Sequence, residues 1–277
     1  MSIRNNYKHT LTASYFGYIT QAIVNNFAPL LFVTFQRSFG ISLEKIAGLV
    51  TVNFFMQLVV DLASAKFIDR IGYRVSIVAA HLFAGAGLIM LGTLPFALPD
   101  PYIGLLISIG FYAVGGGLIE VLISPIVEAC PTDKKSAAMS LLHSFYCWGH
   151  VAVILLTTLF FVTAGIKNWH FLAYLWAIIP FANAVYFCLV PINSLAAEGG
   201  AAPMKELFKS KLFWILAVLM VCSGASEQAM SQWSSAFAEA GLKVSKTVGD
   251  LLGPCMFATL MGLSRVLYAA FSEKIKL

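Results

Sequence analysis

Residues 62–77 read LASAKFIDRIGYRVSI, and nine consecutive residues of it hold Lys66, Asp69, Arg70 and Arg74. Apolar sequence runs for more than twenty residues on either side. Charge gathered at one short turn between two long greasy segments is the pattern of a membrane hairpin whose connection lies in water. Composition agrees: of 277 residues, 59% are hydrophobic and 11% charged, against roughly a quarter charged in an ordinary soluble domain. Something other than water must face most of this chain, and the lipid bilayer is the expected partner. The net charge of +5 sits in the connections and forms no basic helix or patch, so no nucleic-acid partner is expected.

A helix crosses the hydrocarbon core with about 20 apolar residues. Eight stretches qualify, at 11–35, 46–67, 75–97, 102–127, 136–164, 169–191, 212–237 and 247–271. The first is too long for a signal-peptide core and is expected to stay in the membrane. Most connections are short, so sequence neighbours should be antiparallel neighbours. The exception is 193–211, NSLAAEGGAAPMKELFKSK, rich in Ala, Gly and charge. The expected organisation is a bundle over 1–192, a cytoplasmic inter-bundle loop over 193–211, and the first two helices of a second bundle over 212–277. The five cysteines, at 130, 147, 188, 222 and 255, form no C-x-x-C pair and read as small hydrophobes.

With the N-terminus inside, the inner segments hold twelve Lys and Arg: Arg4, Lys8, Lys66, Arg70, Arg74, Lys134, Lys135, Lys205, Lys209, Lys211, Lys274 and Lys276. The outer segments hold five: Arg37, Lys45, Lys167, Lys243 and Lys246. This excess predicts a cytoplasmic N-terminus. The charged hairpin loop also has a copy. AKFIDRIG at 65–72 aligns with AAFSEKIK at 269–276 at an offset of 204, with Asp69 over Glu273 and Arg70 over Lys274. Each copy follows the second helix of its bundle. Paired bundles of this kind enclose a midplane site and rock around it, which is a transporter plan.

From Ala65 to Arg74 the chain reads A-x-F-x-D-R-x-G-Y-R, which resembles the G-x-L-x-D-R-x-G-R-K signature of the major facilitator superfamily. The resemblance implies an all-α membrane protein with the major facilitator fold, an N-terminal six-helix bundle followed by the first two helices of the C-terminal bundle. Members of that family usually have twelve helices, so the sequence is expected to be part of a longer one. In the family the signature charges hold helix ends together and release them during the cycle. This implies a latch of Asp69, Arg70 and Arg74, matched by Glu273 and Lys274, with Asp69 also placed to cap the third span. The stretches GGLIEVLISPIV at 116–127 and AMSLLHSFYCWG at 138–149 are similar to the fucose–proton symporter group. Glu120, Pro125 and Phe145 match that group's pattern, while Ser124, Ser140 and His143 stand in place of its Asn, Asn and Gln. A binding Asp of the group falls where this chain has Pro29.

Charges within a membrane are costly and mark function. Glu120 and His143 lie about 12 Å and 10 Å up a helical hairpin from its cytoplasmic turn, so they share one depth and are expected to couple protons to transport. Asn25, Asn26, Asn53 and Gln57, with Glu227, Gln228, Gln232 and Trp233, offer the donors, acceptors and flat face that a sugar needs. The alternative is polar glue between helices. Asp61 and Arg265 are related by the same 204-residue offset, each about 9 Å from the cytoplasmic end, and read as gate residues. His81 and His150 read as hydrogen-bonded packing residues, and Asp250 as a solvated helix-end acid. His143 and His150 are too far apart to share one metal ion. The glycines at 85–87 and 115–117 read as close-packing sites, since no strand precedes either run.

No catalytic residue, metal site or cofactor is expected. The sequence implies a proton-coupled secondary transporter of a small polar, sugar-like solute, monomeric when full length, in the cell (plasma or inner) membrane. A drug or metabolite exporter of the same fold, and a non-transporting remnant, are the alternatives.

Overall fold

The computed structural model describes residues 3–131, 135–193 and 208–271, apart from the side chains of residues 65, 66, 69, 136, 137 and 268–271. Among the described residues eight helical segments are long and apolar enough to cross a membrane, from Tyr7–Phe39 to Lys246–Leu267. They coincide with the eight stretches expected from hydropathy. The first span is α1 (Tyr7–Asn26), a 3-10 turn (Ala28–Leu31) and α2 (Phe32–Phe39). Pro29 causes that break, because its ring excludes a donor and crowds the preceding turn. Next come α3 (Leu43–Ile71), α4 (Tyr73–Ala97), α5 (Pro101–Glu128), α6 (Lys135–Ala164) and α7 (Trp169–Leu189). Beyond the loop stand α8 (Lys211–Gly241), α9 (Lys246–Asp250), a π-helical turn (Leu251–Cys255) around Pro254, and α10 (Met256–Phe271).

Caps set the helix starts. Ser42, Asp100, Ser210 and Ser245 each accept a hydrogen bond from a first-turn amide of the helix that follows, using up donors the helix leaves free. The turn of the charged loop is a single residue, Gly72, at φ 92°. That left-handed conformation requires glycine, which accounts for the glycine in the 65–74 pattern. Arg74 then donates to the carbonyls of Phe187 at 2.7 Å and Cys188 at 3.2 Å, the free C-terminal acceptors of α7. Arg70 is exposed. The side chain of Asp69, its expected capping bond, Glu273, Lys274 and the repeat copy at 272–276 lie outside the described residues, as does most of the 193–211 loop.

The glycine runs do bring helices together. A Cβ on Gly87 would meet the Tyr112 amide nitrogen at 2.5 Å, and one on Gly115 the Ala80 carbonyl at 2.5 Å, so α4 and α5 touch backbone to backbone. Gly117 packs on Gln57 of α3, and Gly116 faces Gln21 of α1. These contacts draw the polar side chains of α1, α3 and α5 to one place. His81 is fully buried: Nδ1 contacts the Ile77 carbonyl at 2.8 Å, and Nε2 contacts Nδ2 of Asn183, which also donates to the Ala13 carbonyl. One imidazole thus ties α1, α4 and α7 together.

Candidate functional site

Polar side chains from six helices face one another. Tyr18, Gln21 and Asn25 lie on one stripe of α1; Gln57 and Asp61 on α3; His143 and Tyr146 on α6; Glu227 and Gln228 on α8; Glu120 and Arg265 come from α5 and α10. Together with Phe54 and Leu58 they line a cavity of about 330 Å³, within the range of small-molecule sites. Carboxylates, amides, an imidazole and one guanidinium share this space.

A hydrogen-bond chain organises one wall. Gln21 Nε2 donates to Glu120 Oε2 at 3.3 Å and to Gln57 Oε1 at 3.4 Å. Gln57 Nε2 donates to Asn25 Oδ1 at 2.9 Å and to Asn53 Oδ1 at 3.2 Å. Further along the same stripe of α1 the Tyr18 ring lies 5.4 Å from the His143 ring, and the Tyr18 and Ser124 hydroxyls are 3.0 Å apart. Two buried acceptors, Gln21 Oε1 and Asp61 Oδ1, have no protein partner among the described residues. Arg265 likewise makes no ion pair there; the two ion pairs are Arg37–Glu239 at 2.9 Å and Lys246–Asp250 at 2.7 Å.

Of the residues singled out from sequence, Glu120, His143, Asn25, Gln57, Glu227, Gln228, Asp61 and Arg265 come together on the cavity wall. Asn26, Asn53, Gln232 and Trp233 do not line it. Asn26 accepts from Ser231 at 2.8 Å, Gln232 donates to the Asn25 carbonyl at 2.9 Å, and Trp233 packs on Phe32. These contacts join α1 and the start of α2 to the second half of α8. Past them lies a second polar layer. Asp250 is fully buried, where a solvated position was expected. It accepts from Lys246 at 2.7 Å, from Ser235, and from Thr158 of α6 at 3.2 Å. Arg37 and Glu239 bridge the rim. The first half of α8, by contrast, exposes Trp214, Leu219 and Met220.

One other expectation changes. His150 is buried but neither ring nitrogen has a partner among the described residues, whereas His81 is bonded on both. Asp61 and Arg265, expected at a gate, both line the cavity. Sequence reasoning passed over Gln21, Tyr18 and Tyr146. The signal was available: Tyr18 and Gln21 are seven and four residues before Asn25, and Tyr146 is three after His143, each on the face already marked.

The sequence model of the Major Facilitator Superfamily matches residues 14–277. No curated protein matches the sequence. Among solved structures the chain is similar to a crystal structure of a D-xylose-proton symporter, with a TM-score of 0.68 at 16% identity, over 96% of this chain and 68% of that one. At that identity the likeness is one of fold.

Proposed function

The chain belongs to the major facilitator superfamily of membrane transporters, and on that premise we propose that it is a proton-coupled symporter of a small, polar, sugar-like solute, working by alternating access. One observation carries this reading: Glu120, an acid within a span, sits on the wall of a solute-sized cavity and is held there by Gln21 of another helix. The amides of Asn25, Gln57 and Gln228 supply donors and acceptors for hydroxyls, and His143 lines the same cavity as a second proton-binding group. One crystal structure similar in fold is of a D-xylose-proton symporter, which favours this cargo over a lipophilic one. In this reading the N-terminus is cytoplasmic, the described arrangement is closed on the outer side, and the Arg70 and Arg74 loop works as the cytoplasmic latch.

Uptake of labelled pentoses, hexoses and hexuronates into proteoliposomes tests the proposal. Acid outside should drive at least one of them above its equilibrium level, and a protonophore should abolish the excess. Uptake of the panel that never responds to a pH gradient would contradict it.

A further inference from the structure

Beside the central cavity lies a second one, of about 340 Å³, lined by Ser140, His143, Ser264 and Arg265. His143 and Arg265 border both, so the two spaces adjoin across these side chains. Their chemistry differs. The central cavity carries Asp61, Glu120 and Glu227; the second, among the described residues, carries no acid, only two hydroxyls, an imidazole and a guanidinium. Among the described residues Arg265 is the one guanidinium on either wall. It has no ion pair or hydrogen bond among the described residues, although three carboxylates line the space next to it. A cation kept unpaired inside a span is expensive. The cost is offset when a ligand brings the missing charge.

We propose that the solute is a polyhydroxy carboxylate, a sugar acid, whose carboxylate binds Arg265 beside His143 and Ser140 while its hydroxyls occupy the amide-lined cavity. This rests on the symport reading above and specifies its cargo. A guanidinium presents two parallel N–H donors that match the two oxygens of a carboxylate. The single positive charge suits a monoanion. A phosphate dianion would add a second negative charge within a space already walled by Asp61, Glu120 and Glu227. A neutral sugar would leave Arg265 unpaired. The arrangement divides the ligand sensibly: Asn25, Gln57 and Gln228 bind hydroxyls through donors and acceptors alike, while Arg265 fixes the end that is charged. A carboxylate of this type has a pKa of about 3.5 and is fully ionised at neutral pH.

A consequence for coupling follows from charge balance. One carboxylate anion bound at Arg265 and one proton bound at Glu120 cross together as a pair of zero net charge. Symport at one to one is then electroneutral, driven by the pH gradient and indifferent to membrane potential.

The test uses the 277-residue chain, purified, with galacturonate and galactose as probes, a pair differing at one carbon. Binding is read by calorimetry, and transport in proteoliposomes with the potential clamped by valinomycin and potassium. Galacturonate should bind at least tenfold tighter than galactose. Arg265→Gln should erase that preference, Arg265→Lys should keep part of it, and a melting curve confirms that each variant is folded. Clamping the potential at different values should leave acid-driven galacturonate accumulation unchanged. Galactose bound as well as galacturonate, with a preference unaltered by Arg265→Gln, overturns the sugar-acid assignment and leaves sugar symport standing. Galacturonate accumulation that tracks potential overturns the one-to-one charge balance. Failure of galacturonate to bind overturns the sugar-acid assignment, while the symport reading stands or falls on the wider uptake panel.

Discussion

Gln21 donates its amide to Glu120 across the interface of α1 and α5, 3.3 Å from Nε2 to Oε2. The other end of the same amide, Oε1, is buried and has no partner among the described residues. A carboxylate needs a donor and a carboxyl needs an acceptor. Gln21 offers both, on either side of one planar group, so it can hold Glu120 in either protonation state without leaving the helix interface.

Replacing Gln21 by Leu removes that double service while keeping the volume near its original value. Uptake driven by a pH gradient should slow by roughly tenfold, the equivalent of about 1.4 kcal/mol for one charge-assisted hydrogen bond. Solute affinity should change little. Initial rates against solute concentration separate the two quantities; a change confined to affinity would place Gln21 in the solute site alone.

Asp250 joins α6, α8 and α9 through Thr158, Ser235 and Lys246. Asp250→Ala leaves the Lys246 ammonium, with a side chain only 18% exposed, without its partner. Breaking a buried pair by removing one side costs about 3 kcal/mol or more. The variant should melt earlier, and a cysteine placed at Gln232 should become reactive from the outer side. Pairing the change with Lys246→Met should restore part of the stability. Unaltered melting and labelling would remove this cluster from the closure of the outer side.

Asn183 serves a different purpose. It bonds His81 Nε2 at 2.8 Å and the Ala13 carbonyl at 3.1 Å, both in the interior of the first bundle and away from the cavity. Asn183→Ala strands two buried polar groups, which costs about 1–3 kcal/mol. Stability should fall while the solute-to-proton ratio of the surviving protein stays unchanged. A changed ratio would tie this knot to coupling.

Orientation is tested by labelling single cysteines placed at Lys167 and Lys209, after replacing the exposed Cys188 and Cys222. Cys130 can remain: burial pushes its thiol up to about 11, so it stays protonated and unreactive near neutral pH. A membrane-impermeant reagent should reach 167 from outside and 209 only after the membrane is opened. The reverse pattern would invert the topology.

The spans were legible because a 20-residue apolar run has few other uses, and the glycine runs because backbone contact needs a missing Cβ. The acid at 120 stood out for its cost. Gln21 and Tyr18 were less visible, since an amide or phenol in a span is as often helix glue as site; only their spacing from Asn25 marked them. Asn26 and Gln232 looked like solute ligands by type, yet the turn of each helix aims them at Ser231 and the Asn25 carbonyl. Asp250 sits at a helix end by sequence, which concealed that Thr158, 92 residues away, covers it. Long-range contacts of that sort have no local signature.

In the symport reading Glu120 carries the coupled proton, and Glu120→Gln in proteoliposomes is the decisive variant. The amide is a permanent mimic of the protonated acid. Counterflow exchange of labelled solute should persist, because it needs only binding and rocking. Accumulation driven by a pH gradient should vanish, because no proton can be released. A Glu120→Gln protein that still concentrates its solute on a pH gradient would contradict the account.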